Sequence, residues 1–323
     1  MIELNYKFAS LFLNQNNYHD FTIEKIAGDA SFRSYYRVAC KQKSYILMFA
    51  PPSYEDVNTF MKVDNLLRQN SFLAPEILAI DKKSGFLLLQ DFGDISYGKF
   101  LIENKNSEIE LYKMACDELI KLHKLDYDQY SSLLPKYNNA VYLREVWLFI
   151  DWYLLLSNKK INLQQKQQFK NLWFEQFDQL SKESRFLVLR DYHADNLMLI
   201  NDSYQRKVGL LDFQDALIGS RAYDLVSLLE DARRDVSNAT VNEVINYYIS
   251  KSKINHQAWF KDYEILSLQR NIKILGIFAR LAIRDNKKRY LDLMPRVLAH
   301  VKNRLNSNTH DFLAIKIFLN NLL

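Results

Sequence analysis

The chain has 323 residues, 48% hydrophobic and 25% charged, with 43 basic and 38 acidic side chains and a net charge of +5. That is enough apolar material for a core larger than one average domain's, and the charges are too interspersed for the basic stripe of a nucleic-acid binder. Cys40 and Cys116 make neither a disulfide framework nor a metal-type pair. No apolar run reaches membrane-span length, and the start MIELNYKFASLFLNQ lacks the basic head and long apolar run of a signal peptide. A cytoplasmic, soluble monomer with no membrane or nucleic-acid partner is expected.

Residues up to about Asn17 carry Leu4, Phe8, Leu11 and Phe12 at the spacing of a short amphipathic helix. Thr22 to Ala27, Ser34 to Ala39 and Ser44 to Phe49 are rich in β-branched and aromatic residues and read as strands. Gly28-Asp29-Ala30-Ser31 connects the first two. Glu55 to Gln69 places Val57, Phe60, Met61, Val63, Leu66 and Leu67 at helical spacing. Pro75 to Ile80 and Gly85 to Leu89 add two strands about the turn Asp81 to Ser84. The sum is a five-stranded antiparallel sheet with one helix.

From Ile95 the pattern is mainly helical. Ile109 to Leu125, Leu143 to Leu156, Gln164 to Leu180 and Leu225 to Arg233 read as helices, and most of Val241 to Leu323 follows suit. Trp147, Phe149, Trp152 and Tyr153 in the second of these suit a core. A flat ring beside a carboxylate also suits a sugar and its hydroxyls, which makes Asp151 and Trp152 candidate substrate-binding residues. The fold class expected is α+β and two-lobed, with a small sheet lobe at residues 1–91 and a mainly helical lobe at 92–323.

Chemistry concentrates between Leu187 and Leu217. The apolar runs Phe186 to Leu189 and Val208 to Leu211 end on Asp191 and Asp212, and Asn196 lies five residues after Asp191. D-x-x-x-x-N, two strands and then D-F is the phosphoryl-transfer pattern of kinases, in which the protein supplies positioning and charge neutralisation. Asp191 would accept the proton of the attacking hydroxyl. Asn196 and Asp212 would offer magnesium the hard oxygens it needs beside the phosphates of ATP. Turn and cap roles are the plain alternative for each acid alone, and the joint spacing favours catalysis.

These residues resemble the aminoglycoside phosphotransferase and choline kinase superfamily, relatives of the protein kinases. Its motif H-G-D-x-x-x-x-N, D-x-x-x and a D-L helix matches Leu189-Arg190-Asp191 through Asn196, Asp212 to Asp215, and Tyr223-Asp224-Leu225, with Leu189 in place of the histidine. The wording of Gly28 to Val38, Met48 to Pro52, RDYHADNLM, GLLDFQDAL and YDLVSLLEDARRDV resembles one branch, the bacterial anomeric kinases of N-acetylmuramate and N-acetylglucosamine.

The resemblance implies a protein kinase-like fold, ATP and magnesium as cofactors, and phosphorylation of an amino sugar at its anomeric hydroxyl in peptidoglycan recycling. It implies a nucleotide site with Ser31 and Arg33 near the phosphates, and backbone groups of Gln90 and Phe92 at the adenine edge. Asp224 would anchor the catalytic loop, a role compatible with a plain helix N-terminal acid. His193 would brace that loop or touch substrate, and Arg233 is a candidate for the lactyl carboxylate of N-acetylmuramate. One feature departs from kinases: Met48 stands where the third strand carries a phosphate-binding lysine. The missing charge would come from Arg33, Lys43 or magnesium alone. The competing readings are an aminoglycoside- or choline-type phosphotransferase and a non-catalytic pseudokinase scaffold.

Overall fold

A computed structural model describes residues 4–26, 32–182, 185–201, 205–307 and 310–323. In chain order the first elements are α1 (Tyr6–Gln15), β1 (Phe21–Lys25), β2 (Ser34–Cys40), β3 (Lys43–Phe49), α2 (Val57–Gln69), β4 (Ile77–Asp81), β5 (Phe86–Gln90) and α3 (Tyr97–Glu103). Next come α4 (Glu108–Leu122), α5 (Asn139–Leu148), a π-helical turn (Phe149–Tyr153), α6 (Leu154–Leu156), α7 (Leu163–Phe177) and β6 (Phe186–Val188). The chain continues with β7 (Leu197–Asn201), β8 (Arg206–Leu210), β9 (Leu217–Gly219) and α8 (Tyr223–Leu229). It ends with α9 (Asn238–Ser252), α10 (His256–Ile283), α11 (Met294–Leu305) and α12 (Leu313–Asn320). Among the described residues no helix is long and apolar enough to cross a membrane.

The chain divides into two compact units, residues 1–103 with 195–215, and residues 104–194 with 216–323. In the first unit the hairpin of β7 and β8 is tied to earlier chain by a parallel bridge from Leu73 to Gly209 and an antiparallel one from Ser96 to Met198. The half of the Leu187 to Leu217 stretch that carries Asn196 and Asp212 thus belongs with the N-terminal sheet.

That sheet has five antiparallel strands in the order β1-β2-β3-β5-β4, as the alternating sequence requires. Its core takes in Val38, Leu47 and Leu88, with Phe12 of α1 stacked on Phe86 at 5.5 Å. The buried face of α1 is Ala9, Phe12 and Leu13, whereas Phe8 and Leu11 are 57% and 53% exposed, contrary to the stripe expected from spacing. Ten residues of helix have one face to bury, and the neighbouring Ala9 and Leu13 fill it.

Asp64 is a cost inside α2. Its side chain is buried and its Oδ1 has no hydrogen-bond partner among the described residues. Burial pushes its pKa up to about 7, against the lowering pull of Arg68. An acid with a raised folded pKa binds its proton more tightly folded than unfolded, so its contribution to stability falls as pH rises from 3.8 to about 7. Asp64→Leu is expected to melt above the wild type by about 2–4 °C at pH 8 and by less at pH 5. Melting curves at the two pH values check this; an equal shift at both would contradict it.

In the second unit α10 is buried around most of its circumference and packs on α5, the π turn, α8 and α11. Gly276 allows the approach, since a Cβ there would lie 2.3 Å from the Leu148 backbone. The helix expected over Leu143 to Leu156 is present but contains the π turn, which carries Asp151 and Trp152. The helix expected to reach Arg233 ends at Leu229. Just beyond it, the buried Glu230 carboxylate accepts hydrogen bonds from Ser267, Asn271 and Arg304 at 2.6–2.8 Å. Asp231 and Arg233 therefore lie past the helix end.

Candidate active site

In the second unit, β6 delivers the chain to Leu189-Arg190-Asp191. Asp224, fully buried at the start of α8, accepts from the Leu189 and Arg190 N–H groups at 2.7 and 2.8 Å. Burial pushes its pKa up to about 7, while the two backbone donors favour its charged form. Arg190 has φ of +72°, a left-handed conformation costly for a side chain with a Cβ, at the glycine position of the motif. Its guanidinium is bound by Glu145 of α5. Asp191 follows directly, half-buried, on a turn closed by its own N–H to the Leu189 carbonyl at 2.9 Å.

Glu145 is the hub of a buried polar network. It accepts from Arg190, Tyr137 and, at 2.9 Å, Gln269, and pairs with Lys273 at 3.1 Å. Burial pushes its pKa up, but Lys273 and Arg190 outweigh this and hold it down at about 2. Nothing in the local sequence gives Glu145, Lys273 or Gln269 a role. Their signal is three polar residues within helices that otherwise read as core.

His193 and Arg233 are brought together, with Nε2 of the buried imidazole 3.1 Å from Nη1 of the guanidinium. Burial first, then the cations Arg233 and Arg270, push the His193 pKa well below its usual value. A neutral ring accepts at Nε2, so His193 braces Arg233 and does not add charge. Asp151 is exposed on the π turn with a hydrogen bond to the Trp147 side chain, and Trp152 is half-buried.

In the first unit, Asn196 and Asp212 meet across the base of the β7–β8 hairpin, Asn196 Nδ2 lying 3.4 Å from Asp212 Oδ2. The Leu211 N–H donates to the Asn196 carbonyl at 3.0 Å and holds the two ends together. Asp212 has φ of +58°, the same left-handed strain as Arg190. Gln214 donates to its Oδ1 at 2.7 Å, and Phe213 packs on Phe60 of α2 at 5.0 Å. With the amide turned, an amide oxygen joins a carboxylate, a donor set that fits magnesium completing its shell with nucleotide oxygens and water. Among the described residues no group of three or more His, Cys, Asp and Glu side chains is placed to hold a metal ion.

At Gly98 of α3 a Cβ would lie 2.1 Å from Asp195 Oδ1, so the missing side chain leaves room for that carboxylate beside the residue before Asn196. Gln90 ends β5 with its N–H donated to the Glu76 carbonyl at 2.8 Å, so that donor is engaged within the sheet. The Phe92 ring lies over Gly209, where a Cβ would be 3.0 Å away. Arg37 clasps the turn after β5, donating to Asp91 at 2.7 Å, Asp94 at 2.8 Å and the Gly93 carbonyl at 3.3 Å. Burial pushes the Asp91 pKa up, but Arg37 and the Gly93 N–H hold it below the usual carboxylate range. Arg33 is nearly buried beside Glu55 and Asp215. Ser31, with the Gly28 to Ser31 connection, lies outside the described residues.

Relatives of known name share most of this chain. It is 36% identical over 287 residues to the N-acetylmuramate/N-acetylglucosamine kinase of Pseudomonas aeruginosa, covering 85% of this chain and 81% of the relative. It is 30% identical over 325 residues to the kinase of that name from Caulobacter vibrioides, covering 90% and 89%. Two solved structures share the fold. ADP-bound aminoglycoside phosphotransferase APH(2'')-Ib has a TM-score of 0.61 at 16% identity, over 93% of this chain and 99% of its own. Choline kinase LicA from Streptococcus pneumoniae has a TM-score of 0.65 at 13% identity, over 93% and 100%. Residues 22–262 match the phosphotransferase enzyme family, a span that runs from the first strand of the sheet through Asp191, Asn196 and Asp212 into α10. This chain is a member of that family.

Proposed function

We propose that the chain is an ATP-dependent sugar kinase that phosphorylates the anomeric hydroxyl of N-acetylmuramate and N-acetylglucosamine, in the recycling of peptidoglycan. The observation that carries the substrate is the 30–36% identity to four kinases of that name over 85–90% of the chain. The chemistry is supported by the loop that Asp224 and Glu145 pin at Leu189 and Arg190, next to Asp191.

Asp191 accepts the proton of the C1 hydroxyl as that oxygen attacks the γ-phosphorus and the bond to the β,γ-bridging oxygen breaks, releasing ADP. Asn196 and Asp212 would hold magnesium, which when bound would supply charge neutralisation at the phosphates of ATP. The Gln90 carbonyl and the Phe92 N–H take the adenine edge, since the Gln90 N–H is already given to Glu76. Arg233, steadied by His193, faces the lactyl carboxylate, and Asp151 with Trp152 takes the sugar hydroxyls and ring.

With ATP and magnesium, release of ADP is expected with either acetylated amino sugar and not with kanamycin or choline. Release with kanamycin or choline alone would move the chain to those branches of the family. Silence with all four would favour a non-catalytic role.

A further inference from the structure

A kinase without its strand lysine needs another cation at the phosphates, and Met48 is fully buried in the sheet. Its cross-strand partner is Tyr35. Cross-strand partners share a face of the sheet, and Arg33, just ahead of β2, lies within electrostatic reach of Tyr35 on that face. The Arg33 guanidinium lies 3.6 Å from Glu55, two residues ahead of α2, and 3.5 Å from Asp215. Its side chain is 9% exposed. Asp212 acts on the charge of both Arg33 and Tyr35, so the guanidinium lies within electrostatic reach of the metal-binding carboxylate. The neighbouring rings of Phe32 and Tyr54 stack at 4.7 Å and fasten the same two segments together.

Lys43 does not compete for this role. It is exposed at the opposite end of β3, paired with Cys40, five positions from Met48 and so roughly 16 Å along the strand.

We propose that Arg33, oriented by Glu55, is the phosphate-binding cation of this enzyme, so that an Arg–Glu pair entering from β2 replaces the Lys–Glu pair that other kinases build from the third strand. Arg33 contacts the non-transferred phosphates of the nucleotide, and Glu55 is its positioning residue. The inference rests on the kinase reading above, and nucleotide binding measured without any sugar separates the two.

Calorimetric titration of the full chain with magnesium-ATP, ADP and adenosine is the test, on wild type, Arg33→Met, Arg33→Lys, Glu55→Gln and Lys43→Met. The expected result is an ATP Kd raised about tenfold or more in Arg33→Met, partly recovered in Arg33→Lys and raised about threefold in Glu55→Gln. Adenosine affinity stays at the wild-type value in all of them, which also reports an intact fold, and Lys43→Met matches wild type for every ligand. Wild-type ATP affinity in Arg33→Met would overturn the proposal, as would a large loss in Lys43→Met. Failure of the wild type to bind ATP at all would overturn the kinase reading beneath it.

Discussion

Asp191→Asn is expected to lower kcat by about 10²–10⁴-fold and to leave the KM for ATP within about threefold of wild type. The carboxamide keeps the size of the side chain and cannot take the proton of the sugar hydroxyl. The loop should keep its shape, because Asp224 and Glu145 grip Leu189 and Arg190 and not the Asp191 side chain. Steady-state kinetics at saturating sugar reads both numbers. An unchanged kcat would remove Asp191 from the chemistry. A large rise in the KM for ATP with kcat preserved would make it a binding residue.

The second large effect is on stability. Glu145→Gln leaves Arg190 and Lys273 buried without their carboxylate, and breaking a buried ion pair from one side costs about 3–5 kcal/mol. The linkage has a definite sign. The Glu145 pKa falls from 4.5 unfolded to about 2 folded, so its stabilisation is fully present above pH 4.5 and is lost as pH falls through about 2. Urea unfolding at neutral pH should show the lower midpoint, and between pH 4.5 and 2 the variant should lose less stability than wild type. Parallel losses in that window would mean that Glu145 is not ionised in the folded protein. Turnover should fall as well, since the strained backbone at Arg190 is held partly through this pair.

The sheet and most helices are legible in the sequence because their signals are local. Alternation in Ser34–Cys40 and in Lys43–Phe49, and helical spacing in Val57–Gln69, need no distant partner. Asp191, Asn196 and Asp212 are legible for the same reason, as polar residues at fixed offsets from apolar runs. What spacing does not carry is convergence. Glu145 meets Arg190 across 45 positions and Gln269 across 124, and no local pattern marks either pairing. Gly98 reads as an ordinary residue until Asp195 is set against it. Arg33 and Arg37 look equivalent along β2 and its approach. One ends beside Asp212 and Asp215, and the other clasps the turn after β5. The allocation of β7 and β8 to the unit of the N-terminal sheet rests on contacts between distant segments, two isolated bridges among them, which periodicity does not encode. Phe8 and Leu11 show the converse error, in which apolar spacing is present and both side chains stay exposed.

The measurement that bears most directly on this account is phosphorus NMR of the product formed from N-acetylmuramate, ATP and magnesium. A single phosphate resonance coupled to the anomeric proton, with the reducing end of the sugar lost, is the predicted result. A phosphate coupled to the C6 protons, with the reducing end intact, would contradict anomeric transfer.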